Sequence, residues 1–266
     1  MDKLIYRKPA DYELEHEGRC EDIDFFVSLV SRLKPSRVLE LACGSGRITQ
    51  PLAELAAHQG FDLVGLDSTS EMLAEARRRY GELAQKVRAR LTFVEADMRS
   101  WSDSEKFDLI FSSCGSMTHL LTLQDQLTAW RRAHENLNPG GRFVVDVPMA
   151  AMAAYTDSFQ VPPRAVLEMD RDVTAEESGD RLIRYKSTSY LPHKQRAHIR
   201  FFYHKFVAGT LSDHYISDFE SHVYFPRELE LLFLHAGFVI ESVYGDYRGQ
   251  ALNLRSEQMI VAGLKP

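Results

Sequence analysis

The chain has 266 residues, 44% of them hydrophobic and 26% charged, an ordinary globular composition with length enough to bury a sizeable core. Its net charge of −6, with an isoelectric point near 5.9, argues against nucleic acid as a partner, since a protein that holds a polyanion usually shows a basic balance. Three widely spaced cysteines (Cys20, Cys43 and Cys114) make neither a metal-ligand spacing nor a disulfide framework and suit a reducing cytoplasm; the leader is too polar for a signal peptide and no apolar run reaches bilayer length.

After a polar leader containing Tyr6, Tyr12 and His16, Ile23, Phe26, Val30 and Leu33 recur at helical spacing and predict an amphipathic helix ended by Lys34-Pro35-Ser36. Val38, Leu39 and Leu41 predict a buried strand. It breaks at Cys43-Gly44-Ser45-Gly46 into a helix with Pro51 in its first turn, where a missing N–H does little harm. FDLVGLD reads as a second strand and SEMLAEARRRYGEL as a helix, with Ser68 and Glu71 as a capping box. RLTFVEAD and FDLIFSS are strands three and four. A helix from Thr122 to Leu137 opens on Thr-x-x-Asp and closes at Asn138-Pro139-Gly140-Gly141, before a fifth strand, GRFVVDVP. Near-continuous apolar strands alternating with helices indicate an α/β, parallel, doubly wound sheet.

The pattern changes from about Arg164 to Tyr224, where VLEMDRDV, RLIRYKSTSYL, AHIRFFYHKFV and SHVYFP predict successive antiparallel strands, most simply a lid over a pocket. In HIRFFYHKF, Arg200, Phe202, His204 and Phe206 share one face, and Ile199, Phe201 and Tyr203 the other. Arg227 to Ala236 is then a helix stopped by Gly237, FVIESVYGDY a strand and SEQMIVAGL a last strand. The predicted organisation is a core of 1–150 and 225–266 with an N-terminal cap, and an inserted antiparallel β lid of 151–224.

A strand, a glycine turn and a helix N-terminus form a cradle whose backbone N–H groups face a ligand. The dinucleotide fingerprint Gly-x-Gly-x-x-Gly is incomplete, because Thr49 stands third after Gly44 and Gly46. Glu40 before the turn, Asp67 ending the second strand and Asp97 ending the third put carboxylates along the crevice where open α/β sheets bind ligands. Asp67 suits a ribose diol, Asp97 with Met98 an adenine amino group and ring face, and Glu40 an ammonium, directly or through water. A phosphate would not favour that acid, so a cationic nucleoside fits better than NAD.

ELACGSG, the LD of VGLD, SEMLAEA, VEADM and NPGGRFVVD resemble the ordered motifs of class I S-adenosylmethionine-dependent methyltransferases, from about Arg37 to Val147 and again from Phe225. Ala42 stands where many members have the first of three glycines. The resemblance implies a Rossmann-like, seven-stranded, mostly parallel sheet with an antiparallel last strand. The implied cofactor is S-adenosyl-L-methionine, released as S-adenosyl-L-homocysteine and held by Glu40, Ala42, Cys43, Gly44, Gly46, Asp67, Ser68, Met72, Asp97 and Met98. YELEHEGRCEDIDFF, GSMTHLLTLQDQL and the late insert are similar to bacterial small-molecule methyltransferases that include amino-sugar N,N-dimethyltransferases. That likeness implies Tyr12 and His16 folding over the ligands, Arg19 on the methionine carboxylate, and Ser112 and Ser113 behind the methionine moiety.

Methyl transfer from a sulfonium is an in-line displacement, so a base is needed only if the acceptor must first lose a proton. His119, beyond the fourth strand, His222 and His16 are the candidates; helix capping or lid packing are their plainer roles. Asp146 at the end of the fifth strand is placed to orient an amine, and Cys114 reads as a small buried residue. The expected activity is methylation of a nitrogen or oxygen on a small-molecule acceptor by a cytoplasmic monomer or homodimer, with no nucleic acid, membrane or metal. A non-catalytic S-adenosylmethionine-binding module stands as the alternative, with a nucleic-acid methyltransferase behind it.

Overall fold

A computed structural model describes residues 4–150, 152–160 and 166–266 of the protein. The helices are α1 (Pro9–Glu15), α2 (Glu21–Leu33), α3 (Thr49–Gln59), α4 (Ser70–Gly81), α5 (Gln85–Arg88), α6 (Leu123–Asn136) and α7 (Pro226–His235). The strands are β1 (Arg37–Leu41), β2 (Asp62–Asp67), β3 (Leu91–Glu95), β4 (Phe107–Ser112), β5 (Leu137–Pro148), β6 (Glu168–Thr174), β7 (Arg181–Leu191), β8 (Arg196–Val207), β9 (Thr210–His222), β10 (Val239–Tyr244) and β11 (Gln258–Leu264). Two compact units result: Cys20–Ala150 with Tyr224–Pro266, and Met1–Arg19 with Ala151–Val223.

The larger unit carries a seven-stranded sheet in the order β10-β11-β5-β4-β1-β2-β3, in which β11 runs antiparallel to both neighbours. Its strands are apolar on successive residues because both faces are covered. Leu39 and Leu41 join the core that includes Trp130 of α6 and Phe233 of α7, whereas Val38 joins the core with Phe26 of α2 and Leu52 of α3. The sheet, its antiparallel last strand and the doubly wound layering agree with the sequence reading.

Local details differ. The Asn138–Gly141 turn lies inside β5, as an irregularity in its pairing with β4, because Leu137 already pairs with Phe107. α4 starts one turn residue later than a Ser68 cap requires: Thr69 is its N-cap, without a side-chain cap bond, and Ser68 is exposed. The predicted Ser68–Glu71 capping box is therefore absent. Asp67 takes over, its Oδ1 accepting the Thr69 N–H at 2.8 Å.

The smaller unit is a four-stranded antiparallel sheet, β6-β7-β8-β9. The predicted beginning of this run at Arg164 lies outside the described residues. Its last strand is Thr210–His222, far longer than and upstream of the predicted SHVYFP. The tight turn at Ala208 and Gly209, both at positive φ, joins β8 to β9. The two faces of β8 alternate as read: Tyr203 is buried with Ile5, Leu14 and Leu182, and Phe201 packs beside them. α1 is fastened to this sheet by charge as well. Lys205 and Tyr215 donate to Asp11 at 2.7 and 2.9 Å, and Arg184 and Tyr203 donate to Glu15 at 2.8 Å each.

Candidate active site

Every core residue expected to hold a cofactor, apart from Met72 on α4, lies in or just beyond β1, β2, β3 or β4, at the ends where a parallel sheet opens. After Leu41 the backbone turns left-handed at Ala42 (φ 57°), Gly44 (φ 57°) and Gly46 (φ 86°), which swings it out of the sheet and into α3. At Ala42 this conformation is adopted by a residue with a Cβ, a strained choice. A Cβ on Gly44 would meet no protein atom within 4 Å, so the turn presents bare backbone to open space. The Cys43 N–H donates to Leu66 O at 2.9 Å and that of Gly44 to Asp67 Oδ2 at 2.8 Å. Asp67, 8% exposed, thus braces the glycine turn with one oxygen and the start of α4 with the other.

Glu40 is 2% exposed, and the Thr49 hydroxyl donates to its Oε2 at 2.5 Å. Burial pushes its carboxyl up to about 8, against the opposing effects of Thr49 and Arg47. The third glycine of a dinucleotide fingerprint is thus replaced by a threonine whose hydroxyl anchors this acid. An acid held neutral here, yet able to ionise beside a positive charge, fits a cationic ligand.

Asp97 is met on both oxygens by Arg99, at 2.9 and 2.6 Å, and Arg99 also reaches Asp125 at the start of α6. Those hydrogen bonds hold the Asp97 carboxyl below its ordinary range and fix its direction. Met98 packs half-buried on the core, and Met72 is buried in α4. Ser112 and Ser113 are buried at the end of β4; among the described residues the Ser112 hydroxyl has no hydrogen-bond partner. His119 ends the short 3₁₀ helix Ser116–His119 and is half-buried.

A buried network was not legible in the sequence. Arg47, two residues before α3, forks onto Asp22 at the start of α2, with Nη1 to Oδ1 at 3.0 Å. Burial alone would raise the Asp22 carboxyl; the Arg47 fork outweighs it and holds it below the ordinary value. Cys114 lies against this pair, its sulfur 2.9 Å from Arg47 Nη2 and 3.3 Å from Asp22 Oδ2. Contrary to expectation Cys114 is exposed on one flank, yet the protein encloses the thiol on the others and burial pushes it up to about 12. It is no nucleophile at neutral pH. Asp146 is closed off from solvent, with Oδ2 accepting from Cys114 N at 3.1 Å and Tyr247 Oη at 2.7 Å. It braces the loop after β4 rather than facing an amine. Asp22 and Arg47 are 25 residues apart and Asp146 and Tyr247 are 101 apart, on different elements, so no sequence spacing could have flagged them.

The remaining candidates belong to the smaller unit. The Tyr12 and His16 rings lie 4.3 Å apart, with His16 Nδ1 2.8 Å from Tyr12 O. Arg19 is half-buried at the unit's boundary in the chain. His222 ends β9, 7% exposed; Gln195 Nε2 donates to Val223 O at 2.9 Å and lies 3.3 Å from His222 Nε2. Among the described residues no group of three or more His, Cys, Asp or Glu side chains could hold a metal, and no helix is long and apolar enough to cross a membrane.

A seven-stranded sheet with an antiparallel last strand, a glycine turn after β1 and acids at or just beyond the ends of β1, β2 and β3 make up the fold of class I S-adenosylmethionine-dependent methyltransferases. Residues 38–141 match the family model described as a methyltransferase domain. Trans-aconitate 2-methyltransferase of Streptomyces avermitilis is 34% identical over 148 residues, 53% of this chain and 50% of that protein. The chain therefore spans half the length of that relative. The CcbJ methyltransferase of Streptomyces caelestis superposes with a TM-score of 0.76 at 20% identity, over 94% of this chain and 97% of that one. The amino pentose methyltransferase CalS10 of Micromonospora echinaspora, solved with S-adenosylmethionine bound, superposes with a TM-score of 0.69 at 18% identity, over 97% and 95%. At those identities the likeness to solved structures is one of fold.

Proposed function

We propose that the protein transfers a methyl group from S-adenosylmethionine to a nitrogen or oxygen of a small-molecule acceptor. The observation that carries this reading is the β1 turn, where Gly44 offers open backbone braced by Asp67 beside the buried acid Glu40. Asp67 would take the ribose diol, and Asp97 with Met98 the adenine. Glu40 would meet the ammonium and the unpartnered Ser112 hydroxyl the methionine moiety, with Ser113, Ser68 and Met72 completing the wall. The cofactor itself supplies an activated sulfonium methyl, which leaves the protein to align the acceptor and exclude water. Asp97 needs its direction fixed for this, which Arg99 provides.

His119 is the residue we assign to the acceptor, as a base or hydrogen-bond acceptor on its nucleophilic atom. Of the residues in the smaller unit, we assign Tyr12 and Arg19 to the cofactor and His16 and His222 to the acceptor. Names among the relatives include both a trans-aconitate and an amino pentose methyltransferase, so acidic and amino-bearing small molecules are both retained as acceptors. Free, scattered cysteines and the acidic balance favour a cytoplasmic enzyme acting on metabolites rather than nucleic acid.

Calorimetry tests the cofactor: S-adenosylmethionine should bind and NAD should not. Release of S-adenosylhomocysteine on adding a fractionated metabolite extract then tests turnover. Binding without release from any fraction would favour a binding module.

A further inference from the structure

The larger unit holds a second cleft, of about 430 Å³, along the outer flank of α2. Phe25, Ser28 and Arg32 line one side, Tyr244, Tyr247 and Arg248 the other, and Asp24 one end. Its volume lies in the range of small-molecule sites. The floor is aromatic: the Phe25 ring lies 6.1 Å from each of the Tyr244 and Tyr247 rings, at 73° and 58°. Tyr247 is held from below by its hydrogen bond to Asp146.

The two guanidiniums at this floor are uncommitted. Glu241, a carboxylate that feels the charge of Arg32, is forked by Arg142 at 2.7 and 2.6 Å. Asp246, two residues before Arg248, directs Oδ1 at the backbone N–H groups of Arg248 and Gln250, at 2.9 and 3.0 Å. Neither Arg32 nor Arg248 forms an ion pair among the described residues. The loop that carries Arg248 is preformed. Gly245 donates to Gln250 O at 2.7 Å, and a Cβ on Gly245 would fall 2.0 Å from Ser256 Oγ, so only glycine permits the loop to close there. Two arginines against one aspartate leave the cleft a net positive charge in a chain of net charge −6.

We propose that this cleft binds a planar aromatic carboxylate, its ring among Phe25, Tyr244 and Tyr247 and its carboxylate on Arg32 and Arg248. Guanidinium groups bind carboxylates through paired, charge-assisted hydrogen bonds, and aromatic walls accept a flat ring by edge and face contact. Asp24, about two helical turns from Arg32 on α2, can take a hydroxyl. The site is separate from the methyltransferase reading and stands or falls without it.

The probes are benzoate and its neutral isostere benzamide, titrated by NMR into the full chain and the Arg32→Gln/Arg248→Gln variant. Benzoate should saturate and bind at least about tenfold more tightly than benzamide, and the double variant should lose that margin with its thermal midpoint unchanged. Equal affinity for both probes, benzoate binding unaltered in the variant, or no saturation by benzoate would each overturn the assignment. Should the double variant fail to fold, Arg248→Gln alone, on an exposed loop residue, carries the same expectation.

Discussion

Glu40 offers the sharpest test, because its carboxyl is buried inside the cradle and burial raises it to about 8 from 4.5. Glu40→Gln keeps the shape and an oxygen for the Thr49 hydroxyl but cannot ionise. In the wild-type protein the folded state holds this group protonated while the unfolded chain releases the proton. The stability it contributes is fully present below 4.5 and is lost as the pH rises toward 8. Each pH unit in that window removes about 1.4 kcal/mol, so the variant should be more stable than wild type by on the order of 3 kcal/mol at pH 7, and by almost nothing near pH 4.5. Denaturant unfolding of both proteins at several pH values measures this directly. The same group predicts that S-adenosylmethionine, by placing a cation nearby, draws the proton off. Calorimetry in buffers of different ionisation enthalpy should show up to about 0.9 proton released per cofactor at pH 7, and none in Glu40→Gln. A stability difference that does not grow with pH would refute the reasoning.

Asp67→Ala should weaken S-adenosylmethionine binding by on the order of 1.5–3 kcal/mol, as a charged hydrogen-bond acceptor is lost, and unchanged affinity by calorimetry would remove the diol contact. His119→Ala should lower turnover far more than cofactor affinity; equal turnover would take His119 out of the mechanism. Asp22→Ala strands the buried Arg47 and should destabilise the protein by about 3–5 kcal/mol in denaturant unfolding. That penalty should shrink only as the pH falls below the ordinary carboxyl value of 3.8, because the folded Asp22 is held lower still. Ala42→Gly, at a left-handed residue, should stabilise by about 0.5–1 kcal/mol, and a loss of stability would mean the Ala42 methyl is packed to advantage.

Asp67 and Asp97 were legible because an acid that closes an apolar run announces the end of a strand. Their partners were not. The Gly44 N–H on Asp67 and the Arg99 fork on Asp97 depend on side-chain directions that spacing does not specify. The last insert strand shows the same limit. Thr210–His222 alternates irregularly, with His214, Ile216 and Asp218 on one face, and its identity rests on twelve residues of pairing with β8 as much as on its composition. The Ala208-Gly209 turn was its one local signal.

The sequence by itself determined the order of strands and helices, the parallel sheet, the glycine turn and the row of acids at its open end. These follow from hydrophobic periodicity and turn chemistry, which act over a few residues. Only the tertiary structure decided that Thr49 anchors a buried Glu40, that Asp22 and Arg47 tie α2 to the turn, and that Asp146 and Tyr247 brace the loop after β4. It also decided that Arg32 and Arg248 face one aromatic cleft. Each of these joins residues far apart in the chain, and the dielectric that gives such pairs their strength exists only once the core has closed around them.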